Sequence, residues 1–185
     1  MKVPATRKQT DNFSIEKKQA LRKQATSHLE VLRVLDCYGG NNNMWKPFQL
    51  KEYYSIEVVK GKGANVYGDN RKIIPVLDLS KFNVIDLDSY GYPIEQLELC
   101  FDNPTLKKGT VIIYTAIGNS ISALSKKLIK KMKIEKMYKK CPTLFNNKGR
   151  QFFHAFLYLN GIRSINYFRA DANTSFEKEY GYFIY

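Results

Sequence analysis

The chain has 185 residues, of which 44% are hydrophobic and 14% aromatic. This suits one packed domain and leaves too little chain for two. Residues 1–8 lack the apolar core of a secretory signal, and the longest apolar run, at 152–159, is shorter than the ~20 residues of a membrane span. We therefore expect no membrane association. Three widely spaced cysteines form no C-x-x-C pair, so we expect no disulfide framework, no metal site and a cytoplasmic location.

The net charge of +13 is concentrated in two segments. Residues 1–28 carry seven Lys or Arg and two acids, a net of +5, and residues 126–150 carry ten Lys or Arg and one acid, a net of +9. The rest of the chain sums to −1. Such segments attract phosphate backbones, which predicts a nucleic-acid partner, RNA or DNA. The alternative is that they are solvated helix faces that serve solubility.

The pattern of apolar residues predicts strands that alternate with helices. Residues 1–30 are expected to form a basic arm and a helix at 14–29, and residues 31–185 the main domain. Strands are expected at 31–36, 53–58, 66–69, 82–88 and 109–115, and helices at 44–50, 93–101, 120–132, 134–140 and 149–159. Residues 164–169 and 180–185 are expected to pair antiparallel. The order indicates an α/β fold, a mostly parallel sheet with helices on both faces.

Ligands of open parallel sheets bind beyond the carboxyl ends of the strands. After the first strand stands Asp36-Cys37-Tyr38-Gly39-Gly40, in which glycine permits close approach of the backbone to a ligand. Glu57 ends the second strand, 21 residues beyond Asp36, where an acid can accept hydrogen bonds from ribose hydroxyls. A plain turn and a surface acid are the structural alternatives. The dinucleotide motif G-x-G-x-x-G is absent.

Acidic residues also follow the third and fourth strands. Asp69 lies where a carboxylate could accept from an adenine amine, although an ordinary Asp-Asn turn explains it equally well. The fourth strand ends in Asp86-Leu87-Asp88-Ser89-Tyr90-Gly91-Tyr92-Pro93. Two acids at the end of an apolar strand are costly to bury without partners. We interpret them as a site where an Asp accepts from an amine and Tyr90 stacks on a flat ring. The alternative is a turn with capping acids.

These residues resemble those of the class I S-adenosylmethionine-dependent methyltransferases. That family has a Rossmann-like seven-stranded sheet ending in an antiparallel hairpin, similar to the order expected here over 31–185. The resemblance implies cofactor-binding roles for Asp36, Tyr38, Gly39, Gly40, Glu57 and Asp69. The string from Asp86 to Pro93 is similar to the D-x-D-P-F-G-x-P signature of tRNA guanine dimethyltransferases, with Ser89 in place of the proline.

The resemblance implies a methyltransferase that modifies an exocyclic amine of a nucleic-acid base. Asp88 would accept the amine N–H, with Asp86 as the alternative, and Tyr90 would stack on the base. The principal alternative is a non-catalytic nucleic-acid-binding protein on a degenerate methyltransferase fold. A methyltransferase of proteins or small molecules and a nicotinamide dehydrogenase are further alternatives.

Overall fold

A computed structural model describes residues 14–41, 44–118, 126–141, 143, 148–170 and 178–185, with residues 126–128 and 170 described by their backbone. The N-terminal arm at 1–13 and the start of the helix expected at 120–132 lie outside the described residues.

Seven strands form one mixed sheet, which confirms the predicted fold class. They are β1 (Arg33–Asp36), β2 (Glu52–Glu57), β3 (Val66–Tyr67), β4 (Val84–Leu87), β5 (Val111–Ile117), β6 (Asn166–Ala170) and β7 (Lys178–Ile184). Their order across the sheet is β3-β2-β1-β4-β5-β7-β6. The first five strands are parallel, whereas β7 runs antiparallel to both β5 and β6.

Six α-helices accompany the sheet in the described part of the chain. They are α1 (Ile15–Thr26), α2 (Asn70–Ile73), α3 (Ile94–Asp102), α4 (Lys126–Lys131), α5 (Glu135–Lys140) and α6 (Gly149–Leu159). Short 3-10 helices at Ile74–Val76 and Leu79–Lys81 lead into β4. None of the helices in these ranges is long and apolar enough to cross a membrane.

Both faces of the central strands are buried. Successive side chains of a strand point to opposite faces, and each face packs against helices. Val34 packs with Leu21 and Ala25 of α1 on one face. Leu35, the next residue along β1, lies in the second apolar cluster, which includes residues of α3 and α6 such as Leu97. The continuous apolar runs of β1, β4 and β5 are therefore those of strands covered on both sides.

The β5–β7 pair depends on a close approach at Gly181. A Cβ at this position would lie 2.5 Å from the ring of Tyr114, which crosses Gly181 from the neighbouring strand. The Tyr114 hydroxyl continues to Glu179 and donates to its Oε1 at 2.7 Å. A side chain at residue 181 would displace this buried tyrosine, so the glycine is a packing requirement.

Within the described residues, most strand and helix ends lie within two residues of their expected positions, and two expected elements depart further. Residues 44–50 form turns instead of a helix, because the Trp45 indole is buried and donates to Asp86, and Pro47 lacks an amide hydrogen for helical bonding. Helix α1 ends at Thr26 instead of residue 29. Its last turn tightens where the Ser27 N–H donates to the Gln24 carbonyl oxygen.

Candidate active site

Most of the predicted site residues lie along one edge of the sheet, where the parallel strands end. β1 ends at Asp36 and β2 at Glu57, while Asp88 follows the last residue of β4. The register places Asp36 directly beside Asp86. This edge lies at the switch point between β1 and β4, where the strand order reverses and where open α/β sheets bind their ligands.

The glycine turn after β1 contacts the acid at the end of β2. The Gly40 N–H donates to Glu57 Oε2 at 3.1 Å, and the Val59 N–H donates to Glu57 Oε1 at 3.0 Å. Gly40 has a φ of +48°, a left-handed conformation that glycine adopts readily. Each carboxylate oxygen therefore has one backbone donor and further lone-pair capacity for a hydroxyl. The structure brings Gly39, Gly40 and Glu57 together as expected, and their ligand-binding roles stay predictions.

Asp69 is held in an ion pair at the start of α2. It caps that helix by accepting from the Arg71 N–H at 3.0 Å, and its Oδ2 lies 2.7 Å from Arg71 Nη2. The hydrogen bond from the Arg71 side chain lowers the pKa of Asp69. Asp69 is thus the N-cap of α2, whereas the sequence pattern allowed either an Asp-Asn turn or an adenine contact. The contact with adenine stays a prediction.

Asn70, which we had considered only as part of a turn, joins α2 to the loop after β1. Its side chain is buried and donates from Nδ2 to the Cys37 carbonyl oxygen at 3.0 Å. Next to it, Tyr38 is half-buried, and burial raises the pKa of Tyr38 to about 12. The Tyr38 N–H donates to Asp36 Oδ1 at 3.0 Å. Asn70 and Asp36 therefore fix the path of this loop.

Asp36 and Asp86 form the buried part of an acidic cluster. Tyr53 donates to Asp36 Oδ2 at 2.8 Å. Arg22 Nε and Trp45 Nε1 both donate to Asp86 Oδ2 at 2.8 Å, and Arg22 Nη2 lies 2.7 Å from the same oxygen. Asp86 is 1% exposed, and its Oδ1 has no hydrogen-bond partner among the described residues. Because Asp86 is buried, a substrate has no open path to its carboxylate in this arrangement. The alternative catalytic role of Asp86 stays a prediction.

Burial controls the protonation of both carboxyls. Burial and the charge of Asp86 raise the pKa of Asp36 to about 7. Burial also raises the pKa of Asp86, and the charge of Arg22 opposes this rise without cancelling it. Near neutral pH the two neighbouring carboxyls therefore carry less than their full negative charge.

Asp88 lies nearer the surface and is ionised. Lys18 Nζ of α1 lies 2.7 Å from both carboxylate oxygens, Thr115 Oγ1 donates to Oδ1, and Arg22 Nη2 lies 3.8 Å from Oδ2. Burial acts to raise the pKa of Asp88, but the charges of Lys18 and Arg22 outweigh it and hold that pKa below its usual value. Asp88 can therefore accept hydrogen bonds, and in the structure it accepts them from Lys18 and Thr115.

The loop after Asp88 is anchored to β5. Ser89 is buried and donates from Oγ to the carbonyl oxygens of Thr115 at 2.9 Å and Gly91 at 3.1 Å. A proline at position 89 could make neither bond. The Ile117 N–H donates to the Gly91 carbonyl oxygen at 3.1 Å. Tyr90, between these anchors, is 75% exposed, so its ring is available to stack on a ligand.

The cations that neutralise the cluster are not evident from the charge pattern of the sequence. Lys18 and Arg22 belong to the basic segment 1–28, yet Arg22 is 2% exposed and the Lys18 side chain 14%. Both are used inside the fold, which removes two of the seven positive charges from any surface that segment presents. Their spacing of four residues, on one helical face, was the available signal. Trp45 is also buried beside the cluster and donates to Asp86.

Comparisons with known proteins agree with this architecture. No protein-family model and no curated protein matches the sequence. The structure is similar to a SAM-dependent methyltransferase from Archaeoglobus fulgidus, with a TM-score of 0.56 and 15% identity over 93% of this chain and 95% of that one. It is also similar to the N-methyltransferase NodS from Bradyrhizobium japonicum WM9, with a TM-score of 0.57 and 12% identity over 95% and 98% of the chains.

A third similar structure is phosphoethanolamine N-methyltransferase 2 from Haemonchus contortus in complex with S-adenosylmethionine. Its TM-score is 0.57 and its identity 12%, over 91% of this chain and 52% of that chain. At such low identities these likenesses concern the fold: the chain shares the Rossmann-like fold of these methyltransferases.

Proposed function

We propose that this protein is an S-adenosylmethionine-dependent methyltransferase. The observation that carries the proposal is the contact between Glu57 and the Gly40 turn, at the switch point of a sheet with this strand order. The similar structures are methyltransferases, and one holds S-adenosylmethionine. Their likeness to this chain supports the choice of cofactor.

The residues at the edge of the sheet suit an adenosyl ligand. Glu57 would accept hydrogen bonds from the ribose hydroxyls, and the Gly39–Gly40 backbone leaves room for the ligand to approach. Val58, which follows Glu57, is an exposed apolar residue of the kind that packs on an adenine ring. The Asp69 carboxylate would accept a hydrogen bond from the adenine amine. The bound cofactor supplies an electrophilic methyl group.

We propose Asp88 as the acceptor of the substrate amine. An aromatic amine has a delocalised lone pair, and a carboxylate that accepts its N–H increases its nucleophilicity and stabilises the positive charge that develops on nitrogen. Asp88 is ionised and lies at the end of β4, beside the switch point. Tyr90 would stack on the ring that carries the amine. Holding the acceptor in line in this way is worth up to about 7–11 kcal/mol.

We further propose that the acceptor is an exocyclic amine of a nucleic-acid base. The exposed lysines of α5 and the preceding turn provide positive charge for phosphates, and they are Lys133, Lys136, Lys139 and Lys140. A base in a duplex would have to leave the stack to reach Asp88, whereas a single-stranded base would not. We propose that the other Lys and Arg residues of segments 1–28 and 126–150, apart from Lys18 and Arg22, also contact the phosphates of the nucleic acid.

The proposal predicts a modified nucleoside in cells that express the protein. Hydrolysed RNA and DNA should contain a nucleoside one methyl group heavier, detected by mass spectrometry. With Asp88→Asn the signal should fall by at least about 10²-fold, because the amide cannot stabilise the developing charge. Asp78→Asn, the same change at an exposed helix cap before β4, should leave it unchanged. Transfer that survives Asp88→Asn would show that Asp88 is not the amine acceptor.

One observation favours a non-catalytic nucleic-acid-binding protein on the same fold. Asp88 is already engaged by Lys18 and Thr115. A protein that had lost its reaction could keep these contacts as a purely structural link. Binding of S-adenosylmethionine separates the two functions, because the non-catalytic protein has no use for it.

A further inference from the structure

The Lys18 ammonium group is held by a carboxylate and an aromatic ring. Its Nζ is 2.7 Å from both oxygens of Asp88 and 5.0 Å from the centroid of the Tyr180 ring. Thr115 orients the carboxylate by donating to Oδ1. A carboxylate combined with an aromatic face is a recurrent way to hold an ammonium group.

The charges around Lys18 require a cation at this position. Asp36, Asp86 and Asp88 share two positive groups, Arg22 and Lys18, and Arg22 is committed to Asp86. Without Lys18, the Thr115 hydroxyl and the Arg22 guanidinium at 3.8 Å would be the remaining partners of the Asp88 carboxylate among the described residues. Loss of its partner leaves a largely buried carboxylate uncompensated, which destabilises the protein, so a replacement cation at this position would be stabilising.

The Lys18 side chain can move away from Asp88 while helix α1 stays in place. Helix α1 is held by Leu21 and Ala25 in the apolar core and by the pair between Arg22 and Asp86. The Lys18 side chain is 14% exposed, so its flexible stem has a route to solvent. Its departure is therefore a rotation of one side chain.

We infer that Asp88, Thr115 and Tyr180 form an ammonium-binding subsite whose occupant is Lys18 of the same chain. If the proposed function holds, an acceptor amine that uses Asp88 enters by displacing Lys18. The subsite itself does not depend on that function, since it is defined by the contacts of Lys18.

The test is to empty the subsite and refill it from solution. Lys18→Ala deletes the atoms beyond Cβ, and n-propylammonium restores them. The melting temperature of Lys18→Ala should rise saturably with n-propylammonium chloride, by about 3–5 °C at roughly ten times its Kd. Wild type and Lys23→Ala, which removes an exposed lysine of the same helix, should respond only as they do to NaCl. Lys18→Gln with methylammonium replaces this pair if Lys18→Ala does not fold.

Two further measurements make the result specific. 1-Propanol, which has the shape without the charge, should not stabilise Lys18→Ala, and Lys18→Ala with Asp88→Asn should not respond to n-propylammonium. An equal response in Lys18→Ala and Lys23→Ala, or a response that survives Asp88→Asn, overturns the inference. None of these measurements involves S-adenosylmethionine, so failure to bind the cofactor would reject the proposed function and leave the subsite standing.

Discussion

At the scale of single residues, the distinctive feature is a pair of adjacent carboxyls, Asp36 and Asp86, buried at the end of neighbouring strands. Two such groups cannot both ionise freely in a low-dielectric interior. The pKa of Asp36 is raised to about 7 by burial and by Asp86. The native state therefore retains a proton that the unfolded chain releases near pH 4.

This shift sets a pH dependence for stability. The stabilisation from protonated Asp36 is fully present below about pH 4, where both states hold the proton, and is lost as the pH rises through about 7. Asp36→Asn mimics the protonated acid, so urea midpoints measured from pH 5 to pH 8 should decline less steeply in this variant than in the wild type.

Asp78→Asn is the matched control for this measurement. A hydrogen bond from Ser80 lowers the pKa of Asp78, which therefore titrates below the tested range. Its urea midpoints should follow the wild-type slope. Equal slopes in wild type and Asp36→Asn would contradict the assigned protonation of Asp36.

Some contacts of the candidate site could be predicted from the sequence, and others could not. Glycine after β1 and an acid at the end of β2 are brought together by strand order alone, so their contact followed from local pattern. The partners of Asp86 and Asp88 come from 27 to 70 residues away along the chain. No local pattern encodes such distant pairings.

At the scale of secondary-structure elements, helix α1 packs against the sheet and forms part of the main domain's core, although it lies in the N-terminal basic segment. Its apolar residues Leu21 and Ala25 enter the core, and Arg22 reaches the end of β4 to bind Asp86. Composition indicated only a basic helix, because charge counted along a sequence does not distinguish a solvated lysine from a buried guanidinium. The burial of Arg22 identifies α1 as a fixed wall of the candidate site.

Removal of Arg22 should therefore destabilise the protein strongly. Arg22→Met keeps much of the volume but leaves Asp86 without its cation, and loss of one partner of a buried pair costs about 3–5 kcal/mol. Urea unfolding followed by circular dichroism measures this cost. Lys23→Met, at the next and exposed position of the helix, should change stability by less than about 0.5 kcal/mol. Similar unfolding free energies for the two variants would mean that the pair between Arg22 and Asp86 does not hold α1.

At the scale of the whole molecule, the alternation of apolar strands with helices was sufficient to predict a mostly parallel α/β sheet with helices on both faces. Buried strands such as β4 and β5 have continuous apolar runs, and their order places the acids of β1, β2 and β4 on one edge. The segment at 44–50 was predicted wrongly as a helix because its conformation depends on the long-range bond from Trp45 to Asp86. Tertiary contacts override local propensity at such positions.

Calorimetric titration with S-adenosylmethionine tests the central claim most directly. The folded wild type should bind the cofactor, and Glu57→Ala should weaken binding by about 10- to 100-fold through loss of charge-assisted hydrogen bonds to the ribose. Glu52→Ala removes an exposed acid at the other end of β2 and should bind like the wild type. Wild-type protein that is folded yet binds neither S-adenosylmethionine nor S-adenosylhomocysteine, or a Glu57→Ala variant of undiminished affinity, would contradict the assignment.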